Sequence, residues 1–214
     1  MTAEHLRVVA VVYVSAISPL ILVPVLRNRG VIPRWVPTVY IASFAACAVG
    51  WELWFTYGWL AGDPVDLRRA PELSALIPIH LNWILNSLAD AGSICLGGLL
   101  LVWVSLGRTG IALRHWNWGA FAVLLLWFLG QNIFVEMFLY HDQLAEGKPL
   151  SWAPLAPTGP WFNPTLFEFR GRTITLQGQV PWLIMTPVFY GALTAYLDRY
   201  HPIPEGSHRE TRAA

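Results

Sequence analysis

Five stretches of this chain are apolar over lengths that can cross a bilayer, and most of its charge is gathered in the runs between them. The first runs from about Val8 to Leu26, the second from Trp35 to Leu60 and the third from Ile77 to Val104. The fourth runs from Trp116 to Tyr140, and the fifth from Gln179 to Tyr200 with Pro181 in its first turn, where a missing N–H costs little. Each has the length a transmembrane helix needs. The first is too long for the apolar part of a signal peptide and is read as a retained span.

The longest connection, His141 to Gly178, is too apolar for a solvated linker, holding Trp152, Trp161, Phe162, Leu166, Phe167 and Phe169. It is expected to lie against the bundle or the membrane interface. Within it Thr165–Phe169 and Thr173–Gln177 are short β-prone runs around Arg170-Gly171-Arg172, a pattern that predicts a hairpin. The proline-rich stretch from Pro149 to Pro164 keeps that cover stiff rather than helical. The expected fold is therefore all-α and polytopic, five transmembrane helices in one bundle with a hairpin-containing lid between helices four and five. Residues 1–200 form that single domain, and the polar stretch 201–214 reads as a flexible tail.

Composition agrees with the pattern: 55% of residues are hydrophobic and 13% are charged, the balance of a polytopic membrane protein. Net charge is +1 with no basic patch, which argues against a nucleic-acid partner. Arg27, Arg29, Arg34, Arg108, Arg114, Arg199, Arg209 and Arg212 fall on one side of the predicted bundle. Arg7, Arg68, Arg69, Lys148, Arg170 and Arg172 fall on the other. By the positive-inside rule this difference places the C terminus in the cytoplasm. Cys47 and Cys95 lie in apolar spans without Cys-x-x-Cys spacing and read as small core residues. The pattern carries no signal about self-association.

The informative exceptions are three carboxylates inside the spans, Glu52, Asp90 and Glu136. An ionised acid at the centre of a membrane helix costs about 2.5–3.5 kcal/mol on insertion scales, so each is expected to face a protein interior. Asn82, Asn86 and Asp90 repeat at four-residue spacing, continued by Ser93 and Gly97; Asn132, Glu136 and Tyr140 do the same on the fourth span, and Glu52 and Thr56 on the second. At 1.5 Å per residue Glu52 lies about 6 Å past the middle of its span, Asp90 about 3 Å before and Glu136 about 12 Å past. Alternating helix direction turns these displacements to one side, so the acids are expected to line one cavity beneath the lid.

A carboxyl group removed from water can keep its proton near neutral pH and act as a general acid, and two acids in different surroundings can divide into donor and acceptor. Aromatic faces stabilise cations, and of twelve tryptophans several lie near the acids: Trp51, Trp54 and Trp59 with Phe55 around Glu52, and Trp83 near Asp90, while Phe138 and Tyr140 flank Glu136. A buried proton donor with aromatic walls and access from lipid suits carbocation chemistry on an isoprenoid. Competing readings are open: tryptophans also form interfacial belts, asparagine stripes also join helices, and an acid also fixes helix packing through a buried polar network. His80 and His141 could ligate haem or a metal, though ordinary interfacial residues look the same.

The segment Cys47-Ala48-Val49-Gly50-Trp51-Glu52-Leu53-Trp54-Phe55-Thr56-Tyr57 resembles a stretch of the integral-membrane meroterpenoid cyclases of fungi and bacteria, in which a membrane Trp-Glu pair is followed by an aromatic. The resemblance implies that a membrane glutamate and a later aspartate protonate a terminal epoxide or alkene of a prenylated substrate. Glu52 matches the glutamate, and Asp90 or Glu136 fills the second place. It further implies an integral protein of a cell membrane, bacterial in this reading. A weaker likeness is to the emopamil-binding sterol isomerases, whose histidine four residues before the glutamate is replaced here by Ala48.

No paired Asp-rich runs for magnesium diphosphate, Walker loop, Gly-x-Ser-x-Gly elbow or His-Glu-x-x-His run is present. The predicted chemistry is metal-independent and needs no cofactor. The expectation is a terpene cyclase with Glu52, Asp90 and Glu136 catalytic. Trp51, Phe55, Thr56, Asn82, Trp83, Asn86, Asn132, Tyr140, Trp161 and Trp182 are the candidates for binding a lipophilic prenylated substrate. The alternatives are a sterol or isoprenoid double-bond isomerase, and a proton-coupled carrier or lipid-binding membrane protein without enzymatic activity, although no internal repeat of the carrier type is visible.

Overall fold

The computed structural model describes residues 1–58, 64–108, 110–140, 143 and 164–202. Five helices among them are long and apolar enough to span a membrane: α1 (Ala3–Asn28), α2 (Val36–Tyr57), α3 (Ile79–Ser105), α4 (Trp118–Leu139) and α5 (Leu176–Tyr200). Each exceeds the roughly 20 residues that cross the hydrocarbon core, and the chain is an integral membrane protein. The termini of the helices follow local chemistry. Thr2 Oγ1 accepts the His5 N–H at 3.2 Å to cap α1, and Asn117 Oδ1 accepts the Ala120 N–H at 3.0 Å to cap α4. Gly58, at φ 67°, closes α2 in the left-handed conformation, two residues before the expected end at Leu60; residues 59–63 lie outside the described residues.

Three of the helices are interrupted. π-helical turns occupy Ala48–Glu52 in α2, Asp90–Leu96 in α3 and Val135–Tyr140 at the end of α4. Such insertions are rare and concentrate at functional sites, and hydrophobic periodicity gave no notice of them.

Helix α3 is central. A shared core joins it to α2, α4 and α5 through Val39, Cys47, Cys95, Leu99, Leu124, Phe128, Trp182 and Phe189, with both cysteines buried and free. Helix α1 packs across α3 and α2 through Ala16 with Leu85 and Val23 with Tyr40 and Ala91. Gly92 makes this possible, because a Cβ there would overlap the Pro19 side chain of α1. The outer face of α1, with Val14, Leu20, Ile21 and Leu22, is exposed, as a lipid-facing helix requires.

Between α4 and α5 stands an antiparallel hairpin, β1 (Thr165–Phe169) and β2 (Arg172–Thr175). Arg170 and Gly171, at φ 51° and 76°, make the two-residue turn that matches strand twist. The second strand is shorter than the expected Thr173–Gln177, because α5 starts at Leu176, earlier than the expected Gln179, and takes Gln177 into its first turn. Pro181 therefore lies in the second turn. The hairpin packs on α4 by Phe138 against Phe169, ring centroids 5.2 Å apart, and Ile174 is fully buried. The proline-rich part of the cover and the tail from residue 203 lie outside the described residues.

The connection from α2 to α3 contains two short helical segments, Val65–Arg68 and Pro71–Leu76. Arg68 and Arg69, counted from sequence among the cations of one side of the bundle, are buried. Arg69 donates to Ser74 Oγ at 3.1 Å, to Asn82 Oδ1 at 2.8 Å and to the Ile77 carbonyl. Burial pulls its guanidinium down to about 10, which leaves it charged at neutral pH. Arg68 lies over the Phe55 ring at 4.4 Å and donates to the Phe55 carbonyl near the end of α2.

The Gly92 contact is testable. Gly92→Ala is expected to cost about 1–3 kcal/mol, as overpacking does, in thermal unfolding of the detergent-solubilised protein. Gly191→Ala, whose Cβ meets nothing within 4 Å, is expected to be neutral or to stabilise by up to about 1 kcal/mol.

Candidate functional site

A cavity of about 180 Å³ opens within the half of the bundle toward the hairpin, and all five helices line it. Glu52, Asp90 and Glu136 are all in its wall, so the structure brings the three membrane acids of α2, α3 and α4 to one space. Each lies inside a π-helical turn. The wall of Trp51 and Glu52, consecutive residues that an α-helix would turn about 100° apart, is completed by Phe55, Asn86, Ser93, Asn132 and Trp182.

The acids differ in their partners. Asp90 Oδ2 accepts the Trp51 indole N–H at 2.9 Å, a bond from α2 to α3. Glu52 is 6% exposed, and its Oε2 is buried without a hydrogen-bond partner among the described residues. Asn86 is its polar neighbour, with the Arg68 guanidinium in electrostatic reach. Glu136 is 3% exposed and seated against Gly178, where a Cβ would occupy the place of its carboxylate. That glycine lets a carboxyl group stand directly on the α5 backbone.

The aromatic wall is built on Trp182. Its ring lies 5.0 Å from that of Trp51, tilted by 58°, and 5.0 Å from Phe128 on the side of the shared core. Phe55 also lines the cavity, but Arg68 already covers one of its faces. Trp51 and Trp182 are thus the faces best placed to meet a positive centre.

Of the other sequence candidates, Asn132 lines the cavity and donates to the Gly178 carbonyl at 3.0 Å and to Gln179 Oε1 at 2.8 Å. Thr56, Asn82 and Trp83 are not in its lining. Asn82 Nδ2 donates to Thr56 Oγ1 at 3.3 Å while its Oδ1 takes the Arg69 bond, and the Trp83 indole donates to the Ala48 carbonyl at 2.8 Å. These three hold α2, α3 and their connection together. The asparagine stripe therefore divides, Asn82 joining helices and Asn86 facing the cavity. Trp161 lies outside the described residues, as does the side chain of Tyr140. His80 pairs through Nδ1 with the Tyr57 hydroxyl at 2.7 Å, and His141 is outside the described residues. Among the described residues no three His, Cys, Asp or Glu side chains are grouped to share a metal ion.

Sequence reasoning missed the contribution of α1, whose Val11, Val12 and Ser15 form one wall. Val11 and Val12 look like any lipid-facing residues, and Ser15 was the one polar mark on that wall. Sequence reasoning also missed Gln143 in the connection and Gln131, beside Asn132, although a glutamine in an apolar span such as Gln131 is a signal of the same kind as the asparagines. Ser93, which the α3 stripe contained, donates to the Ser15 carbonyl at 2.8 Å and ties α3 to α1 at the cavity edge.

No family model, curated protein or solved structure matches this chain.

The Trp51–Asp90 bond yields a measurable expectation. Trp51→Phe keeps a ring against Trp182 but removes the indole donor, and is expected to cost roughly 1–3 kcal/mol of stability. Trp118→Phe, at a residue 72% exposed, is expected to stay within about 0.5 kcal/mol. Thermal unfolding in detergent measures both.

Proposed function

We propose that this protein is an acid-initiated cyclase acting on a lipophilic prenylated substrate in the membrane. The observation that carries the reading is the meeting of three carboxyl groups and two tryptophan faces in one cavity within the spans. The resemblance of the Trp51-Glu52 segment to membrane meroterpenoid cyclases supports it.

The hydrogen bonding divides the roles. Glu52 Oε2 has no hydrogen-bond partner among the described residues and is an oxygen able to present a proton to a ligand. It protonates an epoxide oxygen or a terminal alkene carbon, and the C–O or π bond opens to leave a tertiary cation. An alkene further along the chain supplies its electron pair to that centre, closing a carbon–carbon bond and moving the positive charge along, past the Trp51 and Trp182 faces. Loss of a proton from the carbon beside the final cation forms the product alkene. Asp90, held in place by the Trp51 indole, accepts that proton. One proton enters and one leaves, so the product is an isomer of the substrate. Trp51 is in this scheme both a wall and a positioning residue. Glu136, on Gly178, is the alternative acceptor.

The size of the cavity limits the step. A cavity of about 150 Å³ holds a benzene ring, so this one suits closure of a single ring. The same limit favours one second reading, a double-bond shift of the emopamil-binding type, in which proton addition and loss form no ring. For orientation we propose a cytoplasmic C terminus. Arg68 and Arg69 are spent on internal bonds, which takes two cations from the opposite face of the sequence count.

Purified protein in liposomes is expected to convert a prenylated epoxide or alkene into a product of unchanged mass, ring closure or alkene shift being read by NMR. Glu52→Gln and Asp90→Asn are each expected to lower the rate by about a hundredfold or more while folded protein persists. Full turnover in both variants, or proton flux without chemical change, contradicts the reading.

A further inference from the structure

The cavity is too small for the whole of the substrate proposed above. Pockets that enclose drug-sized ligands measure about 300–1,000 Å³, whereas this one measures about 180 Å³. A chain of several isoprene units can place only one end inside. The rest must leave through an opening, and the walls show where.

Helices α1 and α4 both line the cavity, yet they are not a packed pair: among the described residues at most isolated contacts join them. Where they meet, Leu139 of α4 and Val12 of α1 pack against the cluster of Val8, Ala70 and Leu73. Val11 lines the cavity and is also 38% exposed, so the cavity wall and the lipid-facing surface share this residue. At the seam Val11 and Val12 of α1 and Val135 and Leu139 of α4 are apolar, while Ser15 of α1 and Gln131, Asn132 and Glu136 of α4 also line the cavity.

Resting on the cyclase reading, we propose that the seam between α1 and α4 is a binding groove for the apolar tail of a chain-bearing ligand from the lipid phase. Only the reacting end of that ligand enters the cavity. The groove accepts a single unbranched or methyl-branched chain, and chain length beyond the reacting end costs nothing because the excess lies among lipid tails. Ligands are thus selected by the chemistry of one terminus, which meets Glu52 and Asp90, and by a tail thin enough to lie between Val11 and Leu139.

The test needs no turnover. Ser93→Cys places a thiol in the cavity wall, and Ser15→Cys serves if that variant does not fold. Each is labelled in liposomes with N-ethylmaleimide and with N-dodecylmaleimide, and the rate of the parent protein, with its own two cysteines, is subtracted. The long-chain reagent is expected to react about as fast as the short one. Val11→Trp is expected to slow it by about tenfold, as a ring packed into the seam would, while Val14→Trp, on the exposed face of α1 and outside the cavity, leaves it unchanged. Failure of the dodecyl reagent where the ethyl reagent reacts, or indifference to Val11→Trp, overturns the groove. Labelling as expected combined with full activity of Glu52→Gln and Asp90→Asn would instead retain the groove and remove the catalytic reading.

Discussion

Within a bilayer no water is available to a backbone carbonyl, so every departure from an α-helix must bring its own hydrogen-bond donor. This constraint organises the site. The acids lie in π-helical turns, and tryptophan indoles serve carbonyls in two of them, those of α2 and α3: Trp83 donates to Ala48, Trp54 to Val49 and Trp127 to Ile94. A fourth indole, that of Trp51, goes to the Asp90 carboxyl group. The turns rotate acid side chains into a common space, and the indoles make those turns tolerable. Remove the donors and the reason for the helices to stay interrupted at the acids goes with them.

The two ends of the bundle consequently differ. Toward the C terminus of α3 the core is dry and closely packed, with Leu99, Leu124 and Phe128 around Gly98, and Tyr190 accepts the Asn117 N–H while its own hydroxyl bonds the carbonyl groups of the α3–α4 connection. Trp116 and Trp118 gather there with Phe121 as a partly exposed aromatic group, the arrangement of an interfacial belt. Toward the hairpin the helices separate around the cavity. Tryptophan thus has two uses in one chain, an anchor at one end and a hydrogen-bond donor at the other.

Much of this architecture was legible because its causes are periodic. Apolar runs of sufficient length gave the five helices, short β-prone runs around Arg170-Gly171-Arg172 gave the hairpin, and four-residue spacing set polar residues on shared faces. What escaped is aperiodic or depends on partners distant in sequence. A π-helical turn shifts register without changing composition, so Asp90–Leu96 reads as ordinary helix. Thr56 and Asn82 carry the same polar mark as Asn86, and only the position of Arg69 shows that they are engaged elsewhere. Arg69 itself looks like a surface charge until the short helices around it bring Ser74 and Ile77 into reach. Val11 and Val12 have no distinguishing chemistry at all; they enter the site because Gly92 admits Pro19.

The central claim is that the three acids share one small space, and chemical modification tests it most directly. Dicyclohexylcarbodiimide partitions into the bilayer and converts a carboxylic acid into a bulky N-acylurea, and a cavity of about 180 Å³ has no room for two such products. Intact-mass analysis at saturation, with peptide mapping, should find a single adduct per chain divided among Glu52, Asp90 and Glu136. Two or three of these residues modified together on the same chain would contradict the account, because separate sites can be filled independently and a shared one cannot.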